Sequence, residues 1–99
     1  MKQKKIEQEL KKYKKMGFDK DQMLQIEFGI EKCLDIKKYA DFKFNSRQMF
    51  EIRQGLKTDI DVSKYTDPKL NDIQMEHIRK NLEKSKFKDR KKDMPEIEI

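Results

Sequence analysis

Apolar residues return at helical spacing in three stretches of the chain: Met23, Ile26 and Ile30; Met49, Ile52 and Leu56; Met75, Ile78 and Leu82. Steps of three and four residues place each set on one face of a helix. A fourth stripe, Ile6, Leu10 and Tyr13, precedes them. The polar residues just upstream show where the three later helices start. Asp19, Asn45 and Asn71 are side chains whose oxygens accept from free first-turn N–H groups, and three residues on stand Gln22, Gln48 and Gln74. That pairing is a capping box, in which the Gln reaches back to the backbone N–H of the cap. Phe18, Phe44 and Leu70 lie five residues before Met23, Met49 and Met75, the spacing of a hydrophobic staple.

These coincidences have one origin. Residues 18–43 (FDKDQMLQIEFGIEKCLDIKKYADFK) align with residues 44–69 (FNSRQMFEIRQGLKTDIDVSKYTDPK) at 10 identical positions of 26, and residues 70–87 match the second copy at six of 18. Gly29 and Gly55 recur inside the helices, with Asn81 in their place in the third copy. Gly in a helix interior costs about 1 kcal/mol relative to Ala, so close approach of a neighbouring backbone or early termination of the helix is expected there. In the second half of each unit Asp35 and Asp61 can cap a short helix, and Leu34 with Tyr39, like Ile60 with Tyr65, stand again at staple spacing. Gly17 is the expected stop of a first helix over 2–15. The expectation is an all-α fold: a small, solenoid-like helical-repeat domain of alternating long and short helices over residues 1–88, with repeats 18–43, 44–69 and 70–87, and a flexible charged tail over 89–99.

The pattern F-[DN]-x-x-Q-M-x-x-I-x-x-G-[IL], followed by L-D-[IV]-x-K-Y-[AT]-D, resembles a short repeat of uncharacterised bacterial proteins that often belong to mobile elements such as conjugative elements and phages. In that repeat the Asp before the next Phe is usually followed by Pro, as at Pro68 but not at Phe42, and a Gly commonly ends the long helix where this chain has Cys33 and Asp59. Those departures leave the helix stop open. The resemblance covers residues 18–87 and implies a mobile-element setting, with no catalytic residues to carry over.

Composition narrows the function further. Charged residues make up 44% and apolar residues 34%, lean for a core, but the apolar positions are periodic and support folding. No run approaches the roughly 20 apolar residues of a membrane span. The N-terminal MKQKKIEQEL carries no apolar signal region, and a single cysteine, Cys33, excludes an internal disulfide. A cytoplasmic protein without a membrane partner is expected. The net charge of +6 is concentrated at the ends: residues 1–20 carry +5 and residues 79–92 carry +6, against −2 over 21–78. Such ends can attract nucleic acid or an acidic protein surface, or simply keep the chain soluble.

Catalysis needs convergent acid, base or nucleophile groups. His77 is the only histidine and falls in the polar slot of Gln25 and Glu51; Cys33 falls at a helix end. Asp35, Asp41, Asp61 and Asp67 recur without the dense ligand run of a calcium loop. No enzyme, metal or cofactor is expected. The candidate surface comprises Leu24, Phe28 and Phe50, a second apolar face that a solenoid packs on the preceding helix or a partner covers. It also comprises the polar-face cations Arg47, Arg53 and Arg79, the last two one repeat apart and able to meet phosphates or carboxylates, with Lys80 and the basic run Lys11, Lys12, Lys14 and Lys15. Solvated charge pairing, for instance at Arg53 with Lys57 and Glu51 nearby, is the plainer expectation for the arginines. The leading expectation is a non-enzymatic protein-binding module of a mobile element, an anti-CRISPR-like inhibitor of a host defence complex acting on a protein or nucleoprotein partner. The alternatives are a basic nucleic-acid-binding accessory protein and a self-associating module forming homo-oligomers.

Overall fold

The computed structural model describes the backbone of residues 2–93 and the side chains of residues 5–87. The protein is all-α, with helices α1 (Lys2–Met16), α2 (Lys20–Glu31), α3 (Ser46–Lys57) and α4 (Asp72–Asp93). The expected short helices are single 3₁₀ turns, Ile36–Lys38 between α2 and α3 and Val62–Lys64 between α3 and α4. Each helix packs chiefly on its neighbour in sequence, and the body measures 55 × 37 × 17 Å.

The helix starts form as the pattern predicts. Asp19 Oδ1 accepts from the Gln22 N–H at 2.7 Å while the Asp19 N–H donates to Gln22 Oε1 at 2.9 Å. Asn45 and Gln48 repeat this at 2.8 Å in both directions, as do Asn71 and Gln74 at 2.8 and 2.9 Å. The glutamines also have a second role, because the box uses only the amide oxygen. Gln22 Nε2 donates to the Phe44 carbonyl at 2.8 Å, and Gln48 Nε2 to the Leu70 carbonyl at 2.7 Å and the Pro68 carbonyl at 3.2 Å. One buried side chain thus starts its own helix and ties down the residue that begins the next copy. Glutamate cannot replace it, since a carboxylate has no N–H to give.

The helix stops are settled by backbone geometry. Cys33 and Asp59 both adopt the left-handed conformation, with φ of 59° and 60°. The Leu34 N–H bonds the Gly29 carbonyl and the Cys33 N–H the Ile30 carbonyl, at 2.9 and 3.0 Å. Ile60 with Gly55, and Asp59 with Leu56, repeat the pair at 3.1 and 3.2 Å. This is the Schellman closure, made here without glycine. The helices therefore end two residues beyond Gly29 and Gly55, and neither glycine terminates one. In the third copy the equivalent Ser85 is helical, and α4 continues to Asp93, past residue 88 where the charged tail is expected to begin; residues 94–99 lie outside the described residues.

What the two glycines admit is a side chain rather than a neighbouring backbone. A Cβ at Gly29 would overlap the Tyr39 hydroxyl and sit 2.6 Å from Ile36 Cγ2; at Gly55 it would overlap the Tyr65 hydroxyl and sit 2.7 Å from Val62 Cγ1. Through these gaps the Tyr39 hydroxyl donates to the Gln25 carbonyl at 2.6 Å and the Tyr65 hydroxyl to the Glu51 carbonyl at 2.7 Å. Both tyrosines are fully buried. Burial pushes their hydroxyls well above the ordinary tyrosine range, only partly offset by Arg53 beside Tyr39 and Arg79 beside Tyr65. Around them Ile26, Met49, Ile52, Met75 and Phe44 complete the core, with Met23, Ile30, Leu56, Ile78 and Leu82 half-buried against it. Of the two Asp residues expected to cap the short turns, Asp61 does so, accepting from the Ser63 N–H at 3.2 Å; Asp35 makes no such bond. Where the second copy has Pro68, Phe42 stacks on Phe18 at 4.2 Å between ring centroids.

Candidate interaction face

The sequence leaves open whether Leu24, Phe28 and Phe50 pack the preceding helix or face a partner. They do not pack inward: the three are 41%, 43% and 36% exposed. Positions about 100° to 140° around the helix from the core stripe fall at the edge of the packed face, where they are only partly covered. Leu24 and Phe50 line an open cleft of about 270 Å³ where α2 meets α3, with the exposed Arg47 and the acidic Asp21, Glu51 and Asp72 on its walls. Phe28 and Phe50 flank the Arg53 guanidinium, whose central carbon lies 5.1 and 5.3 Å from their ring centroids. The fold thereby brings together five residues of the predicted surface: Leu24, Phe28, Arg47, Phe50 and Arg53.

The other candidates are placed differently. Arg79 is not an available cation. Its Nε donates to Glu51 Oε1 at 2.8 Å and its Nη1 to both Glu83 oxygens at 3.0 Å, with little of any of the three side chains exposed. Arg79 does meet carboxylates, but those of its own chain. Arg53 does not pair with Glu51 as expected; its Nε donates to Gln25 Oε1 at 2.9 Å. Lys80 is exposed and pairs with Glu76 at 3.1 Å along the helix. Lys11, Lys12, Lys14 and Lys15 are exposed on α1. Lys11 and Lys14 border a separate hollow between α1 and α2 floored by Leu10 and Met23, and Lys12 lies over the Tyr13 ring at 5.5 Å. The basic run and the aromatic face are thus two surfaces.

His77 and Cys33 are both exposed, and among the described residues no group of three His, Cys, Asp or Glu side chains is placed to hold a metal ion. Asp41 and Asp67 each accept from the backbone N–H two residues on, Lys43 at 3.0 Å and Lys69 at 2.9 Å, and so shape turns. Among the described residues no helix is long and apolar enough to cross a membrane. No family model matches the chain, and no curated protein or solved structure does either.

Pairing residues by the 26-residue repeat is the signal that finds what a linear reading misses. Arg53 and Arg79 hold the same slot, yet Gln25 and Lys57 stand where Glu51 and Glu83 serve Arg79. Burial lowers the Arg53 pKa, with the nearby Tyr39 opposing it weakly. For Arg79 burial acts the same way and is the largest single influence, but the hydrogen bonds to Glu51 and Glu83 and their negative charges together outweigh it and the pKa rises.

Proposed function

We propose that the protein is a non-enzymatic protein-binding module that docks through the α2/α3 face. The resemblance of its repeat supports a mobile-element setting, in which such a module serves as an inhibitor of a host defence complex. The observation that carries the docking reading is a run of exposed apolar side chains: Phe28 and Phe50, each more than a third exposed, flank the Arg53 cation, and Phe50 joins the equally exposed Leu24 in the wall of the adjoining cleft. A cluster of large apolar side chains with an arginine at its centre and charges at its rim is the composition of a protein-binding hot spot. None of these side chains belongs to the buried core cluster.

The test is capture from extracts of the native host after nuclease treatment. The wild-type chain is compared with a Phe28→Ser/Phe50→Ser variant and with a variant carrying Lys11→Glu, Lys12→Glu, Lys14→Glu and Lys15→Glu. Loss of the partner in the aromatic variant, with retention in the lysine variant, is the expected result. Capture that nuclease abolishes and only the lysine variant loses would replace this reading with the nucleic-acid one.

A further inference from the structure

Two arginines one repeat apart occupy equivalent slots with opposite surroundings. Arg79 is held by two carboxylates: Glu51, contributed by the preceding helix, and Glu83, one turn along its own. At Arg53 the first is replaced by the neutral amide of Gln25 and the second by the exposed Lys57, a further cation. Arg53 is nonetheless the more deeply buried residue, at 9% exposure. A guanidinium has five N–H donors. Here Nε is taken by Gln25, and among the described residues no side chain or carbonyl accepts from Nη1 or Nη2 and no carboxylate forms an ion pair with it. The rings of Phe28 and Phe50 give the cation a π environment, which stabilises it without supplying a hydrogen-bond acceptor or a counter-charge.

We propose that Arg53, with Lys57 beside it, is a receptor for a carboxylate of the protein partner, an Asp or Glu flanked by apolar side chains that cover Phe28 and Phe50; the assignment rests on the α2/α3 face being the docking face. The partner carboxylate takes the role that Glu83 fills for Arg79. The slot's geometry is that of a site already occupied by carboxylates one repeat away, and a planar guanidinium recognises a carboxylate through two parallel N–H bonds. A nucleic-acid strand fits less well. Asp21 and Asp72 line the adjoining cleft and repel the successive phosphates of a polyanion, whereas a protein surface of mixed charge can meet Arg47 and these acids together. The lowered pKa of Arg53, caused by burial, accords with a cation lacking its counter-charge.

The experiment follows the arginine Nε–Hε signals of ¹⁵N-labelled protein during titration with the capped peptide Leu-Glu-Glu-Phe, its Gln counterpart Leu-Gln-Gln-Phe, and inorganic phosphate. The glutamate peptide is expected to shift Arg53 saturably, with affinity about tenfold above its Gln counterpart, as one charge-assisted pair provides. Arg79, already paired, serves as the silent internal control. Lys57→Glu places in the slot the carboxylate that Glu83 supplies to Arg79, at an exposed position that leaves the core intact; it is expected to abolish the response. No saturable shift at Arg53, equal response to the Gln peptide, response to phosphate alone, or full response in Lys57→Glu would each overturn the proposal. Arg53 silent while host capture still depends on Phe28 and Phe50 removes the carboxylate receptor and leaves the docking face. Capture indifferent to Phe28 and Phe50 removes the docking face, whatever Arg53 does.

Discussion

The first two copies of the repeat and the third begin alike and end differently. All three open with the same reciprocal cap. In the first two, a glycine then admits a tyrosine of the same copy, the helix ends two residues later, and a left-handed Cys33 or Asp59 closes it. In the third, Asn81 stands at the glycine position, Ser85 stays helical, and α4 runs on to Asp93. The aliphatic residue that follows the left-handed position, Leu34 or Ile60, is replaced by Lys86, which reaches back to the Asp59 carbonyl at 2.8 Å. A helix start in this fold is a local event decided within four residues. A helix stop needs something to pack over it.

The largest test of that contrast is to close the glycine gaps. Gly55→Ala forces a Cβ into the Tyr65 hydroxyl and breaks its bond to the Glu51 carbonyl. Overpacking plus a stranded buried hydroxyl is expected to destabilise by about 2–4 kcal/mol, and Gly29→Ala should behave alike. Asn81→Ala, with no tyrosine to displace, should be neutral or slightly stabilising, as helix propensity directs. Denaturant unfolding of the three variants checks this, and equal effects at all three positions would erase the distinction between the copies.

The glutamines sharpen it next. Gln48→Ala removes both the capping-box bond and the tie to the next copy, for an expected loss of about 2 kcal/mol. Gln74→Ala removes the box alone, from an exposed site, for about 0.5–1 kcal/mol. The difference between the two midpoints measures the inter-copy bond.

Tyr39→Phe and Tyr65→Phe should each cost about 1 kcal/mol, the net worth of one hydrogen bond. The same hydroxyls give a pH dependence whose sign is fixed. Their folded pKa values are raised by burial, so the stabilisation is complete below the unfolded tyrosine value of about 10 and is lost as pH climbs above it. Stability measured from neutral to strongly alkaline pH should fall in the wild type and more shallowly in the double Phe variant.

The smallest effects carry opposite signs. Cys33→Gly relieves a left-handed non-glycine residue and should stabilise by up to about 1 kcal/mol. Ser85→Gly, at the equivalent position inside α4, should destabilise by a few tenths of a kcal/mol to about 1. Thermal melts of the pair suffice, and a gain at both positions would mean that the third helix also wants to stop there.

Much of the architecture is legible in the chain because its causes are short-ranged. Asp19, Asn45 and Asn71 cap their helices through groups three residues away, and Met23, Met49 and Met75 lead stripes set by the 3.6-residue period, so pattern alone determines the helix starts and the face that enters the core. The left-handed stop is hidden at Cys33, which gives no sign of it, and only faintly marked at Asp59, a residue type that tolerates that conformation; the Leu34 and Ile60 N–H groups close it by bonding the Gly29 and Gly55 carbonyls. Tertiary structure alone decides that Gly29 and Gly55 make room for tyrosine hydroxyls, that Gln22 and Gln48 reach carbonyls 22 residues away, and that Arg79 is neutralised while Arg53 is not. It also decides that Leu24, Phe28 and Phe50 stay outside. The physical reason is the same in each case: a local hydrogen bond or a helical period is fixed by covalent spacing, whereas burial and charge pairing depend on which distant segment folding delivers to the same place.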